Sequence, residues 1–121
     1  MKKIQLHKSP LFLRIIFVLS AAIIFFTAGI TFKHITVLDL AEAALQKSQV
    51  RLGELANKVT WLIANIVEVE FADHQFDLWH DRAVFHFLVD SEEQQLYRRL
   101  VEGSIAPGGY LLMMTFSKSG P

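Results

Sequence analysis

Phe76-Asp77-Leu78-Trp79-His80-Asp81-Arg82-Ala83-Val84-Phe85-His86-Phe87-Leu88 opens as a short apolar strand, Phe76 to Trp79. It then places three polar or ionisable groups side by side and turns apolar and aromatic again. Polar groups at the end of a buried strand are costly unless they are partnered. In open α/β sheets, ligands bind outside the carboxyl ends of the strands. His80, Asp81 and Arg82 are therefore candidate site residues: a base whose charge changes near neutrality, a carboxylate, and a fixed cation. A structural Asp81–Arg82 ion pair is one reading, and Arg82 as a clamp for a substrate carboxylate is another. No serine or cysteine stands at a spacing that would make a nucleophile for these groups, so a hydrolase triad is not supported.

Working outward, Val59-Thr60-Trp61-Leu62-Ile63 is a second strand followed by Ala64-Asn65, and Ile35-Thr36-Val37-Leu38-Asp39 is a β-branched strand ending in an acid. Between them, Ala41, Ala44, Leu45, Ser48, Leu52 and Leu55 share one face, which predicts an amphipathic helix over 41–55. Ser91-Glu92-Glu93-Gln94 fits a capping box opening a helix with Leu96, Tyr97, Leu100 and Val101 on its apolar side, and Gly103 is the expected stop. Pro107-Gly108-Gly109 is a turn signal before a strand over Tyr110 to Phe116, and Glu68 to Gln75 reads as a flexible loop. Strands alternating with helices imply a parallel sheet of βαβ units. Asp39 either caps a helix or accepts hydrogen bonds from ribose hydroxyls, as strand-end acids do in nucleotide-binding α/β folds. Asn65 is either a turn residue or a reader of an adenine edge, since its amide both donates and accepts.

The segment Ile15 to Phe32 contains no charge and follows Lys2, Lys3, Lys8 and Arg14. About 18 apolar residues is the lower limit for a membrane span, and the basic flank would keep the N-terminus in the cytoplasm. A cleaved signal peptide, with small residues at Thr27-Ala28-Gly29, is a second reading. A third is a buried interior strand, residues 15–19, followed by a helix that Ser20 caps and that ends near Gly29. A uniformly apolar run carries no periodicity with which to choose. Composition sets the remaining bounds. A 121-residue chain of zero net charge is one domain without the basic excess of a nucleic-acid binder. It has no cysteine, so disulfides and thiolate chemistry are excluded, and its five scattered histidines give no metal-ligand spacing.

From about Ala28 to Pro121 the chain resembles a class I S-adenosylmethionine-dependent methyltransferase of the small bacterial type. The resemblance rests on Ile35 to Leu45, on Val59 to Asn65, on the run Phe76 to Leu88, on Ala106-Pro107-Gly108-Gly109-Tyr110, and on the spacing between these blocks. It implies a partial Rossmann-like parallel α/β sheet over residues 33–121, incomplete at the C-terminus. Before it stands a basic then apolar segment, 1–32, that forms a helix or a strand-helix. It further implies that Asp39 binds the cofactor ribose, that Leu40 packs on the adenine, and that Asn65, with Ile66 beside it, stands where the family carries an aspartate for the adenine amino group. His80 and Asp81 would face the methionine part and the acceptor. The expected cofactor-binding set is thus Asp39, Leu40, Asn65, Ile66 and His80, and the expected catalytic set is His80, Asp81 and Arg82, with no metal.

Two departures qualify the resemblance. The family's first strand runs into a glycine-rich loop that lets the backbone approach the cofactor, whereas residues 15–24 here read IIFVLSAAII. The family's last two strands are also missing. The expected function is methyl transfer from S-adenosylmethionine to an unnamed small-molecule or protein acceptor, in the cytoplasm, with activity weakened or abolished by the missing loop. The alternative is a non-enzymatic remnant that binds a partner or a membrane through residues 11–32.

Overall fold

The computed structural model describes residues 2–4, 14–18 and 34–115. Seven strands are present among them: β1 (Lys2–Ile4), β2 (Arg14–Val18), β3 (His34–Asp39), β4 (Val59–Ile63), β5 (Val69–Phe71), β6 (Phe76–Arg82) and β7 (Ile105–Met114). Three α-helices accompany them, α1 (Glu42–Leu52), α2 (Val84–Phe87) and α3 (Ser91–Ser104), with a 3-10 turn at Gly53–Lys58. Five strands form one sheet in the order β4-β3-β2-β6-β7, every pair parallel. β2 is its centre, paired from Arg14↔His34 to Val18↔Leu38 on one side and from Ile15↔Leu78 to Val18↔Asp81 on the other. Residues 15–18 are therefore the interior strand that their apolar sequence allows. The helix expected from Ser20, the small-residue stretch at 27–29 and the rest of the apolar run lie outside the described residues. Among the described residues no helix is long and apolar enough to cross a membrane.

Alternation along the strands divides the core between the two faces of the sheet. Ile35 and Val37 pack with Leu45 and Leu52 of α1 and with Val59. Leu38, Phe76 and Trp79 pack with Tyr97 and Val101 of α3, together with Ile66, Val69, Phe71 and Val84. Trp79, fully buried, meets Phe71, Phe76 and Tyr97 edge-on at centroid distances of 6.0, 5.9 and 6.1 Å, an arrangement that sets ring edges against ring faces.

Several boundaries differ from those the sequence suggests. The helix expected over 41–55 stops at Leu52, where Gly53 takes φ +57° and its N–H reaches the carbonyls of Gln49 and Val50. Of its apolar stripe, Leu45, Ser48 and Leu52 are buried and Ala41 is exposed. The loop expected at 68–75 contains β5, which pairs in parallel with β1 (Lys2↔Val69 to Ile4↔Phe71) and buries Val69, Phe71 and Gln75. Its partner lies far off in sequence, so no local signal announces it. α3 is capped by Asp90 rather than Ser91: the Asp90 carboxylate accepts the N–H of Glu92 at 2.9 Å, and a charged acceptor suits the positive end of a helix. Gly103 does not stop this helix, which runs on through Ser104 because Val101 and Ser104 are held against the core.

β6 is longer than the apolar stretch Phe76 to Trp79, since His80, Asp81 and Arg82 all remain in the ladder. β7 begins at Ile105 rather than Tyr110, because the Pro107-Gly108-Gly109 turn is absorbed as a bulge: the partner of Phe76 is Ile105, and that of Leu78 is already Tyr110. The two glycines serve it differently. Gly108 has φ +78° with open space where a side chain would go, whereas a Cβ on Gly109 would meet the carbonyl oxygens of Ala106 and Asp77 at 2.8 and 2.9 Å. Replacing Gly108 by alanine should cost roughly 1 kcal/mol of backbone strain. Gly109→Ala, which drives a methyl into two backbone oxygens, should cost more, up to about 3 kcal/mol. Urea unfolding of the two variants checks the ranking, and equal losses would remove the steric account.

Candidate functional site

In chain order the strands of the main sheet run outward from β2 to β3 and β4, and the chain then crosses to the other side of β2 to place β6 and β7. That reversal opens a crevice at the carboxyl edge, where α/β folds bind ligands. A cleft of about 250 Å³ lies along this edge. Its walls come from three segments: Leu38, Asp39 and Leu40 at the end of β3, Ala64, Asn65 and Ile66 after β4, and Val84, Phe87 and Leu88 in and just after α2. Asp39 and Asn65 are its polar side chains, and the remainder is apolar.

Asp39 is held by its own surroundings. Its Oδ1 accepts the N–H of Ala41 at 2.9 Å, an Asx turn rather than a cap on α1, and its backbone oxygen accepts the N–H of Ala64 at 3.2 Å. The second contact ties the ends of β3 and β4 together and keeps the two polar cleft residues on one edge. Oδ2 is left as an acceptor on a side chain only 7 % exposed. Asn65 sits in the turn that follows, where its Oδ1 accepts the N–H of Val67 at 3.3 Å and its Nδ2 donates to Glu68 Oε1 at 3.4 Å. Both bonds are long and readily exchanged for bonds to a ligand. Ile66 is buried, while Leu40 and Phe87 are 70 % and 67 % exposed at the mouth.

The structure thus gathers Asp39, Leu40, Asn65 and Ile66 into one cleft and leaves His80, Asp81 and Arg82 outside its walls. Successive strand residues point to opposite faces of the sheet, so the triplet is not one cluster. His80 is buried at 1 % exposure, Asp81 is fully buried, and Arg82 is exposed. The Asp81–Arg82 pair anticipated from sequence does not form. Asp81 Oδ1 instead accepts the N–H of Val84 at 2.7 Å, and Oδ2 accepts the N–H of Phe85 at 3.2 Å and the hydroxyl of Tyr97. Tyr97 in turn accepts from Trp79 Nε1 at 3.1 Å.

Sequence reasoning missed the α2 wall. Phe87 and Leu88 belong to the quoted run, but they reach the cleft because Ala83 turns the chain with φ +67°. Alanine seldom adopts that conformation, so nothing in the sequence marks the turn. The carboxylate's partner Tyr97 is the seventh residue of α3, sixteen positions beyond Asp81, so no local pattern links the two.

Burial pushes the His80 imidazole below its ordinary pKa of 6.5. The neighbouring Asp81 carboxylate opposes that shift and the Arg82 guanidinium adds to it. Burial, then the hydrogen bond to Asp81, push the Tyr97 phenol well above its ordinary value of 10.0. As pH falls below 6.5 the unfolded chain takes up a proton at His80 before the folded protein does, so this contribution to stability is complete above that pH and declines below it, until the folded pKa is reached. At the alkaline end the unfolded phenol ionises first, so stability declines as pH rises above 10.0. Urea midpoints measured across this range should show both declines, the first absent in His80→Gln and the second absent in Tyr97→Phe.

A family model described as a methyltransferase domain matches residues 20–113. No curated protein sequence matches the chain. Among solved structures, a S-adenosylmethionine-dependent methyltransferase from Mesorhizobium loti superposes with a TM-score of 0.73 at 21% identity, covering 86% of this chain and 46% of its own. The N-methyltransferase NodS of Bradyrhizobium japonicum, solved with S-adenosylhomocysteine, gives 0.72 at 21% identity over 84% of this chain and 52% of its own. Phosphoethanolamine N-methyltransferase 1 of Haemonchus contortus, solved with phosphoethanolamine and S-adenosylhomocysteine, gives 0.73 at 14% identity over 88% of this chain and 24% of its own. The chain therefore spans from about a quarter to about half the length of these proteins. With the family model covering most of its length and its parallel sheet shared with these structures, the chain belongs to the methyltransferase domain family and has the Rossmann-like fold of the class I S-adenosylmethionine-dependent methyltransferases.

Proposed function

We propose that the cleft holds the adenosine part of S-adenosylmethionine and that the domain serves methyl transfer to a small-molecule or peptide acceptor. The observation that carries this reading is the convergence of Asp39, Leu40, Asn65 and Ile66, from two separate strand ends, on one cleft at the carboxyl edge. The donor set suits the ligand. A buried carboxylate with an uncommitted oxygen is an acceptor for vicinal ribose hydroxyls. Apolar walls with Leu40 and Phe87 at the mouth suit the faces of a planar base. The Asn65 oxygen takes the place of the family's carboxylate as acceptor for an exocyclic amino group, while Glu68 gives its donor half a partner.

The cofactor, when bound, supplies a methyl group on a sulfonium centre. The chain's part is to position that centre and the acceptor, with water excluded from between them. In this reading His80, kept neutral by burial, orients or deprotonates the acceptor. Arg82, exposed at the end of β6, meets an anionic group on it, and Asp81 acts through the α2 turn that it holds.

A second reading, a non-catalytic partner-binding domain, has one observation in its favour. β7 pairs with β6 on one edge, and along it Tyr110, Leu111, Leu112, Met113 and Met114 are all exposed. An apolar outer strand is a surface that another polypeptide segment covers. Calorimetric titration with S-adenosylmethionine and S-adenosylhomocysteine separates the two. Micromolar affinity is expected, weakened roughly 10- to 100-fold in Asp39→Ala through loss of charge-assisted bonds and weakened less in Asn65→Ala. An absence of binding at millimolar ligand would reject the cofactor reading in favour of the second.

A further inference from the structure

The short helix α2 supplies one wall of the cleft, yet four residues cannot hold a helix in place through their own hydrogen bonds. Its position is set from outside at both ends. At the leading end, Asp81 receives the N–H groups of Val84 and Phe85, and Ala83, at φ +67°, donates its N–H to the carbonyl of Met114 at 2.7 Å. At the trailing end, the carbonyl of Leu88 accepts Gln94 Nε2 at 2.6 Å. The leading anchor depends on the orientation of one carboxylate in a fully buried site. That orientation is fixed by the Tyr97 hydroxyl, itself held by the Trp79 indole N–H, while the Tyr97 ring packs against Phe85 at 5.4 Å.

We propose that Tyr97 is a positioning residue for the cofactor: acting through Asp81, it fixes the α2 wall, with Val84, Phe87 and Leu88, at the separation from Leu40 that a planar base requires. The inference rests on the cofactor reading above. Tyr97 itself lies outside the cleft and touches no ligand. Without its hydroxyl a buried carboxylate oxygen loses one of its two donors, and Asp81 must rotate or admit water to replace it. Either response loosens the bonds to Val84 and Phe85, and the wall they begin becomes mobile.

Tyr97→Phe keeps the ring and its packing while removing the hydroxyl. In the unliganded protein, amide exchange at Val84 and Phe85 should accelerate while that of Leu45, on the opposite face of the sheet, stays unchanged. The dissociation constant for S-adenosylhomocysteine should rise about tenfold. Val101→Ala, which opens the same apolar cluster without touching Asp81, serves as the control for stability loss alone and should leave affinity within about twofold of wild type. Equal affinity changes in the two variants would reduce Tyr97 to a packing residue and overturn the inference. Unchanged exchange at Val84 and Phe85 would overturn the link through Asp81 even with ligand binding intact. A wild-type protein that binds no S-adenosylhomocysteine would overturn the cofactor reading, and with it the ligand half of the inference, while the exchange result still decides the link.

Discussion

The double pairing of β2 is the constraint on which the rest of the domain depends. Its backbone groups are satisfied by β3 on one side and β6 on the other. Without it the main sheet would fall into two separate pairs, β3 with β4 and β6 with β7. An interior parallel strand is covered on both faces and tolerates an unbroken apolar sequence, which is why IIFV can serve there. The reversal of strand order at β2 also creates the crevice, so the same strand that closes the sheet locates the cleft.

The second constraint is the disposal of polar groups at the end of β6. A parallel strand that carries histidine, aspartate and arginine into the ladder must satisfy them separately, because consecutive side chains leave on opposite faces. Asp81 is satisfied by two backbone N–H groups and a phenol, and that satisfaction turns the chain into α2. Arg82 escapes to solvent, and His80 is buried on the face opposite Asp81. The aromatic cluster around Trp79 gives the network its low-dielectric setting, which strengthens satisfied hydrogen bonds and penalises unsatisfied ones. Packing and site geometry are in this way one arrangement: Trp79 and Tyr97 are core residues by burial and wall-setting residues by hydrogen bonding.

Much of the site was legible in the sequence, for a positional reason. Asp39 and Asn65 end runs of β-branched and aromatic residues, and a polar residue at the end of a parallel strand lies on the carboxyl edge wherever the strand sits in the sheet. Leu40 and Ile66 follow them directly. What stayed hidden depends on long-range pairing or on an uncommon backbone conformation. β5 exists because Val69 to Phe71 find Lys2 to Ile4. The α2 wall exists because Ala83 adopts a positive φ against the preference of its residue type. The cap of α3 moved from Ser91 to Asp90 because both are competent acceptors and only the path of the chain decides between them.

The sequence by itself determined the class of fold, the family resemblance, the order of strands and helices from residue 34 onward apart from β5 and α2, and the polar strand ends Asp39 and Asn65, with Leu40 and Ile66 named through the resemblance. The fold class, the strand order and the polar strand ends follow from local patterns: short β-branched or apolar runs, a period-3.6 stripe, and polar residues at strand ends. Only the tertiary structure decided that residues 15–18 are an interior strand, that His80, Asp81 and Arg82 part company, and that Tyr97 reaches Asp81 across sixteen positions of sequence. Each of these outcomes depends on which distant group arrives to satisfy a buried backbone or side-chain donor or acceptor, and a uniformly apolar run or a polar triplet carries no record of its future partner.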